Sequence, residues 1–440
     1  MAGVNRTNGG VNLPALRSHN TALVLDLLRG AGTGGISRLE LAERTGLTPQ
    51  AVSKITGRLR ETGLAVEAGH RASTGGKPRT VLRLVPGAGH AVGIHLDRDA
   101  LRAVRVDLAG TVVGERCAAV DLGAGAEAVV GAVAGEVEAL VRGVRGEDGA
   151  GGVGEVEAGS TVGTAGSSEP EVVSAPKARR PNAGGVAGAE AGSAAGGAGA
   201  AVLGSDAKGV AARSDSSRPA AGALPALLGV GVALPGPLDH TRGVLHRVTG
   251  FPEWDGFPLR DALARRLGVP VAVDKDTNAA ALGLAVAGER GSFAYLHLGT
   301  GLGAGLVIGG TVHRGARTGA GEFGHQVVQL DGPPCDCGDR GCVEALCLAA
   351  VARGDLAEAA RVLGIAAGNL VGLLDIDLVL LGGRTVTSAP DPFLRGVEAV
   401  LDERARRTGE EPVPVRTAPD EVAEGAAQLV LAPLFGRADA

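Results

Sequence analysis

His325, Cys335, Cys337 and Cys342 follow one another as His-x9-Cys-x-Cys-x4-Cys, and this short stretch constrains the fold more than any other part of the chain. One imidazole and three thiols at this spacing can close over a single ion, because Gly338 and Gly341 permit the tight turns that bring the sulfurs onto a tetrahedron of roughly 2.3 Å radius. Zinc is the ion such a donor set predicts. A disulfide is the competing reading. A Cys-x-Cys pair is too strained to bridge itself, and the N-terminus shows no secretory pattern that would place the chain in an oxidising compartment. Four protein ligands leave no open coordination position, so the metal is expected to brace its surroundings rather than to catalyse.

A chain of 440 residues exceeds one ordinary core, so two or more domains are expected. The net charge of -5 is unevenly spread. Residues 1–84 hold twelve Lys or Arg against five Asp or Glu, so the head is about +7 and the remainder about -12. A basic head on an acidic body points to nucleic acid at one end only. No run of 18 uncharged apolar residues appears, which predicts a soluble, cytoplasmic protein with no membrane partner. Of the five cysteines, Cys117 and Cys347 lie outside the metal motif and are expected as small buried hydrophobes.

Residues 1–17 carry no periodic pattern and are expected to be flexible. Leu23, Val24, Leu27 and Leu28 then form a one-sided stripe at helical spacing, ending at Gly30. Ser37 with Glu40 makes a capping box for a short second helix that Gly46 closes, and Thr48 with Pro49 opens a third. Val52, Ile55 and Leu59 share one face of that third helix, which leaves Gln50, Ser53 and Lys54 on the other. This predicts a helix-turn-helix whose third helix enters the major groove. Segments 64–67 and 80–84 alternate as strands around a basic, glycine-rich turn, and read as a wing. Gln50, Ser53 and Lys54 are candidates for base edges, Arg71, Lys77 and Arg79 for phosphates or the minor groove, with Thr48 and Arg58 completing the DNA-contact set. A plain helical bundle with a solvated charged face is the alternative.

From Ala91 the pattern changes to apolar strands, followed by a helix from about Glu127 to Val144. Residues 146–222 are rich in Gly, Ala, Ser and Glu with few large apolar side chains, and are expected to be a disordered insertion. Strands resume at Leu228 and at Val271, the latter running into Lys275-Asp276-Thr277-Asn278 and a helix. A carboxylate at a helix N-terminus suits hydroxyl binding, proton abstraction or mere capping. Lys275 could pair with Asp274 or Asp276, or select an anionic sugar. Gly299 to Gly305 is a glycine-rich turn between strands, for which a structural role is favoured over phosphate binding.

The metal spacing, with Glu322 before it and Glu344 after it, resembles the zinc loop of the ROK family of repressors, open reading frames and sugar kinases. The three-helix head with its Gly-Gly-basic-Pro wing looks like the DNA-binding module of the family's repressors. The resemblance spans nearly everything except 1–17 and 146–222. It implies an α/β chain: a winged helix-turn-helix at 18–86, then at 87–440 a two-lobed actin-like fold of the ribonuclease H-like, sugar kinase and Hsp70 type. It further implies that Asp276, Glu322, His325 and Glu344 bind sugar hydroxyls, Asp276 being the family's general-base position. His325 would use one ring nitrogen for zinc and the other for sugar.

Two departures bear on activity. The family's first phosphate turn, Asp-x-Gly-x-Thr, reads Asp97-Arg98-Asp99 after Leu96, with no glycine and two carboxylates that repel an anion. Gly250 and Lys275 stand where the family has Asn. The expectation is a non-enzyme with no catalytic residue in use: a sugar-responsive repressor of carbohydrate genes, with zinc as cofactor, a sugar or phosphosugar effector, operator DNA as partner, and a homodimer or homotetramer as assembly. A glucokinase- or N-acetylhexosamine-type kinase and a DNA-binding scaffold without ligand are the alternatives.

Overall fold

A computed structural model describes residues 19–71, 79–147, 226–246, 248 and 251–437. The head is built as its caps dictate. Helix α1 (His19–Gly30) buries Val24, Leu25 and Leu28. After the short strand β1 (Ile36–Ser37), Ser37 caps α2 (Arg38–Thr45). Its Oγ accepts the Glu40 N–H at 3.3 Å, and the Glu40 carboxylate accepts the Ser37 N–H at 2.8 Å. Gly46, at φ 70°, ends the helix in the left-handed region that a side chain would resist. Thr48 Oγ1 accepts the Ala51 N–H at 3.3 Å and Pro49 opens α3 (Pro49–Glu61). Strands β2 (Ala65–Arg71) and β3 (Arg79–Leu84) pair antiparallel as predicted, and β1 joins β3 to give a three-stranded sheet. Lys77 lies outside the described residues, as do the side chains of Arg71 and Arg79.

The first lobe has a five-stranded sheet in the order β10-β7-β4-β5-β6. Strands β4 (Gly89–Leu96), β5 (Ala100–Asp107) and β6 (Val112–Ala119) form an antiparallel meander. Helix α4 (Ala126–Glu147) follows and takes in the first two residues of the expected insertion; the rest of 146–222 lies outside the described residues. Then β7 (Ala226–Leu234) pairs parallel with β4, the small hairpin β8 (Leu238–Asp239) and β9 (Val244–Leu245) follows, and α5 (Leu259–Leu267) leads to β10 (Val271–Lys275), parallel with β7. Strand β7 is buried on two faces along its last seven residues, which is why it reads as a continuous apolar run rather than an alternation. Trp254 is fully buried in this lobe's core and its indole N–H donates to the Leu122 carbonyl at 2.9 Å.

Helix α6 (Asp276–Ala287) leads into the second lobe, whose sheet has the order β13-β12-β11-β14-β15. It comprises β11 (Phe293–Leu298), β12 (Leu302–Ile308) and β13 (Thr311–Val312), then α7 (Val343–Ala352), α8 (Leu356–Leu374), β14 (Leu378–Gly382), α9 (Arg384–Ser388), α10 (Pro390–Thr408) and β15 (Val415–Thr417). Helix α8 is long and apolar enough by length and composition to cross a membrane, yet half of it is buried in this lobe, where it packs on α7 and α10.

The last helix, α11 (Val422–Leu431), lies on the first lobe's sheet and packs against α6 along its other side. Small residues make this approach possible. A Cβ built on Gly93 would lie 1.9 Å from the Ala423 carbonyl oxygen, and one on Gly231 would lie 1.8 Å from that of Ala426. The same helix carries Ala423, Ala427 and Leu431 into one continuous apolar cluster with Val24, Leu28, Leu41, Val52, Leu59 and Leu82 of the head. The head therefore shares a core with the first lobe. The link between them is pinned as well: the Val85 N–H donates to Leu64 O at 2.8 Å and the Leu108 N–H to Pro86 O at 3.1 Å.

Candidate metal centre and ligand cleft

The metal motif converges. The ligating atoms of His325, Cys335, Cys337 and Cys342 all lie within 4.8 Å of one another, and this group could hold a metal ion. His325 Nδ1 stands 3.6 Å from Cys335 Sγ, and Cys337 Sγ stands 3.7 Å from Cys342 Sγ. A tetrahedron of roughly 2.3 Å radius has edges of about 3.7 Å, so the spacing suits a zinc-sized ion. Gly338 and Gly341 adopt φ of 102° and 66°, and a Cβ on Gly341 would collide with the Gln329 carbonyl oxygen. Burial, with Cys337 and Cys335 alongside, pushes the Cys342 thiol up to about 12, and Cys335 is raised too. A cation among these sulfurs reverses that penalty by stabilising the thiolates. Cys347 stays out of the group, buried under Ala359, whereas Cys117 is exposed on β6. The expectation that Cys117 is buried is thus wrong: β6 is an edge strand with most of its residues open to solvent.

One wall of this centre is also a wall of the cleft between the lobes. Asp276, Glu322, His325 and Glu344 line the same cavity, which encloses about 690 Å³ including its open mouth. Each is placed by a local device. Asp274, 1% exposed, accepts the Lys275 N–H at 2.8 Å and the Asn278 amide at 2.8 Å, and pairs with Arg314 Nε at 2.6 Å. That pin fixes the β10–α6 junction and points Asp276, at the first position of α6, into the cleft. Glu344, in the first turn of α7, accepts the Leu302 N–H at 2.8 Å. His325 turns Nδ1 to the sulfurs and its ring lines the cavity.

Lys275 pairs with neither neighbour proposed from sequence. Its side chain is 3% exposed, and Nζ donates to the Ala320 carbonyl at 2.6 Å and to Glu322 Oε1 at 3.0 Å. Asp274 is engaged with Arg314 instead. The glycine-rich turn has the structural role expected at its far end: Gly305 lets α6 approach, since a Cβ there would lie 2.1 Å from the Thr277 carbonyl oxygen. Gly250 lies outside the described residues.

Sequence reasoning missed a buried polar group beside the cleft, of which His297 lines the cavity. His95 on β4 stands edge-on to His297 on β11 with ring centroids 6.4 Å apart, and His297 Nδ1 is 2.9 Å from the Tyr295 hydroxyl. Burial holds His95 below its usual pKa despite Asp276 nearby, which keeps the ring neutral at pH 7. No spacing motif signals these residues, because they sit on strands from opposite lobes. In the head, Thr48 at the cap of α3 and Gln50, Ser53, Lys54 and Arg58 along it are all exposed, whereas Val52, Thr56 and Leu59 are buried.

A winged helix-turn-helix joined to two lobes, each with a five-stranded sheet, around a cleft defines a two-domain class that comparison with known proteins makes specific. Residues 217–352 match the ROK family and residues 23–65 match the winged helix-turn-helix DNA-binding family. The chain carries a ROK-family domain behind a winged helix-turn-helix head. A putative xylose repressor of Caldicellulosiruptor sp. (strain Rt8B.4) is 23% identical over 438 residues, 90% of each chain. A glucokinase of Thermotoga maritima is 43% identical over 133 residues, and a xylose repressor of Bacillus subtilis is 32% identical over 121. These two matches span 29% and 27% of this chain and 42% and 31% of the relatives. Among solved structures, a ROK family transcriptional regulator described as a homolog of the E. coli MLC protein superposes with a TM-score of 0.66, 17% identity and coverage of 96% and 97%. A Streptomyces griseus ROK glucokinase, in complex with glucose and AMPPNP, gives 0.52 at 21% identity, covering 78% of this chain and 99% of its own. At these identities both show the fold, which is actin-like.

Proposed function

We propose that the chain is a sugar-responsive DNA-binding transcriptional regulator, a repressor of carbohydrate genes, with head 18–86 and body 87–440 as its two functional parts. The observation that carries this reading is the convergence of Asp276, Glu322, His325 and Glu344 on one cleft whose wall is the His/Cys₃ group. Carboxylates and an imidazole are the acceptors and donors that sugar hydroxyls need. Zinc at His325, Cys335, Cys337 and Cys342 fixes the tautomer and orientation of His325, so that Nε2 addresses the sugar. Lys275 holds Glu322 in place. The exposed face of α3 supports DNA contact, with Gln50, Ser53 and Lys54 toward base edges and Arg58 toward phosphate; the wing residues Arg71, Lys77 and Arg79 belong to the same proposal.

Names of relatives agree with this reading, two of them being xylose repressors. A symmetric dimer on a two-fold operator and a cytoplasmic location follow from it. The test is an operator-binding assay with and without free and phosphorylated pentoses, hexoses and N-acetylated sugars. We expect steeply salt-dependent binding that one sugar weakens. Operator affinity unmoved by every sugar leaves only a ligandless scaffold.

The glucokinase match favours one rival, a sugar kinase that uses Asp276 as general base. ATP-dependent phosphorylation of glucose or an N-acetylhexosamine is its assay. We expect none, because Asp97 and Asp99 put two carboxylates where a nucleotide phosphate would approach.

A further inference from the structure

Arg437 ties the helix that opens in the cleft to the head. Its Nε and Nη2 donate to the two carboxylate oxygens of Asp26 on α1 at 2.9 and 3.3 Å, while Nη1 donates to the Val286 carbonyl at 3.3 Å. Val286 lies in the last turn of α6, where carbonyls lack partners within the helix and the helix dipole is negative. That turn has no cation of its own, and Arg437 supplies one. At its other end α6 begins with Asp276, which lines the cleft. One helix of roughly 18 Å thus runs from the cleft to a guanidinium that the head holds.

Asp26 has a second cation one turn away on the same helix, at the three-residue spacing that makes side chains neighbours. Arg29 Nε donates to the Ala109 carbonyl at 3.2 Å, and its guanidinium lies over the Phe435 ring, 4.8 Å from the centroid. Its Nη1 is buried without a hydrogen-bond partner. Burial lowers the Arg29 pKa and Arg437 lowers it further, while Asp26 and Asp107 oppose both, so Asp26, Arg29 and Arg437 feel one another's charge. A buried N–H left unpaired carries a penalty that a carboxylate would remove. Asp107 is already engaged, its Oδ1 accepting the Ala109 and Thr111 N–H groups at 2.9 Å each.

We infer that Asp26 is a switch between Arg437 and Arg29 that couples the cleft to the head: held by Arg437 it ties the far end of α6 to α1, and handed to Arg29 it lets that end go. The inference rests on the proposed function, in which the sugar at Asp276 is what displaces α6. Room for the displacement lies at the far end of the helix. A cavity of about 700 Å³, counting its open mouth, lies between the last turn of α6, the β12–β13 hairpin and Gly436.

An ordinary surface ion pair is the competing reading, because Arg437 and Asp26 are 41% and 29% exposed and a lone pair of that kind is weak. Two features separate the cases. All three guanidinium nitrogens of Arg437 are engaged, on two different helices, so breaking this pair also frees the end of α6. The carboxylate it would release has an unsatisfied donor one turn along its own helix, which gives the switch a second resting position.

The full-length, metal-loaded chain is assayed as parent, R437M and R29M on an operator duplex selected from random sequence. Each is measured alone and with D-xylose, D-glucose, N-acetyl-D-glucosamine and their phosphates, with melting temperature and zinc content as checks on folding. In the parent one sugar should weaken operator binding at least about tenfold. R437M leaves Asp26 only Arg29: without sugar it should bind the operator about as weakly as the sugar-saturated parent, and sugar should change that by less than about twofold. R29M leaves Asp26 only Arg437: it should bind like the sugar-free parent and need at least about threefold more sugar for half-release. A merely structural role would move both variants the same way. R437K keeps the cation but loses the fork that bonds Asp26 and Val286 together; it covers the case in which R437M misfolds, and should respond to sugar less than about half as strongly as the parent. A parent that responds while folded R437M or R437K responds as strongly overturns the switch alone, as does R29M shifted in the same direction as R437M. A parent that no sugar moves overturns the proposed function, and the switch with it.

Discussion

Replacing Gly93 by Ala tests whether α11 is as tightly held as the structure implies. The added Cβ would sit 1.9 Å from the Ala423 carbonyl oxygen and 2.6 Å from the Ala427 nitrogen. Ordinary contact needs about 3.3 Å or more, so the helix must withdraw by roughly 1.4 Å or the strand must sink. Neither has room. On its other side α11 meets α6 with equal closeness, since a Cβ on Gly425 would lie 2.0 Å from the Ala279 carbonyl oxygen. Beneath the strand the first lobe's core is filled by Val92, Ile94 and Leu96 with Val230 and Val232. Overpacking into backbone atoms that cannot retreat belongs at the upper end of the usual range, about 3 kcal/mol. For a body of this size that is a fall of roughly 6–12 °C in the melting temperature. Thermal unfolding followed by circular dichroism at fixed metal content is the assay. Gly131→Ala on the exposed face of α4, where a Cβ meets nothing within 4 Å, is the control, and should gain up to about 1 kcal/mol. Parent-like melting of Gly93→Ala would refute the claim that α11 is fixed by backbone contact.

Cys337→Ser should strip the bound metal and lower both melting temperature and sugar affinity, as elemental analysis and thermal shift would report; unchanged metal content removes the proposed zinc site. Because burial raises the Cys342 and Cys335 thiols, they hold their protons near neutral pH until metal binds. Adding zinc to stripped protein should therefore release protons in a weakly buffered titration, and affinity should fall as pH falls. Arg314→Met leaves Asp274 buried without its cation and should cost about 3–5 kcal/mol in urea unfolding, most of it recovered in the Asp274→Asn/Arg314→Met double variant. Gln50→Ala should relax base choice at one operator position. Arg58→Ala should weaken all sequences alike and reduce the salt slope by about one, measured by binding across a salt series.

Where a feature depends on a few neighbouring residues, the sequence already contains it. The Ser37–Glu40 capping box, the Gly46 stop and the Thr48–Pro49 start each act within a few residues and the metal spacing within eighteen, and each is found in the structure. Features joined across the chain were not legible. Lys275 meets Glu322 rather than its immediate neighbours because the turn carrying Ala320 and Glu322 folds back over the β10–α6 junction. Arg384 reaches Asp99 across 285 positions, and no spacing rule encodes such a pair. The exposure of Cys117 depends on β6 being the edge of its sheet, which strand order decides and composition does not. The shared core of head and first lobe escaped for a related reason. Ala423, Ala427 and Leu431 look like any apolar helix face until α11 and the head are seen to share one apolar cluster.

That union leaves no swivel between reader and body. A chain cut after residue 86 would take Val24, Leu25 and Leu28 out of the apolar cluster they share with Leu431, Leu434 and Phe435, and the piece released should be sticky rather than a portable binding module. Under the proposed function, information about an occupied cleft then travels as motion of an entire lobe, with the reading helix carried along like a tooth on a jaw. The quantity such a jaw adjusts is the distance between two reading helices on one duplex.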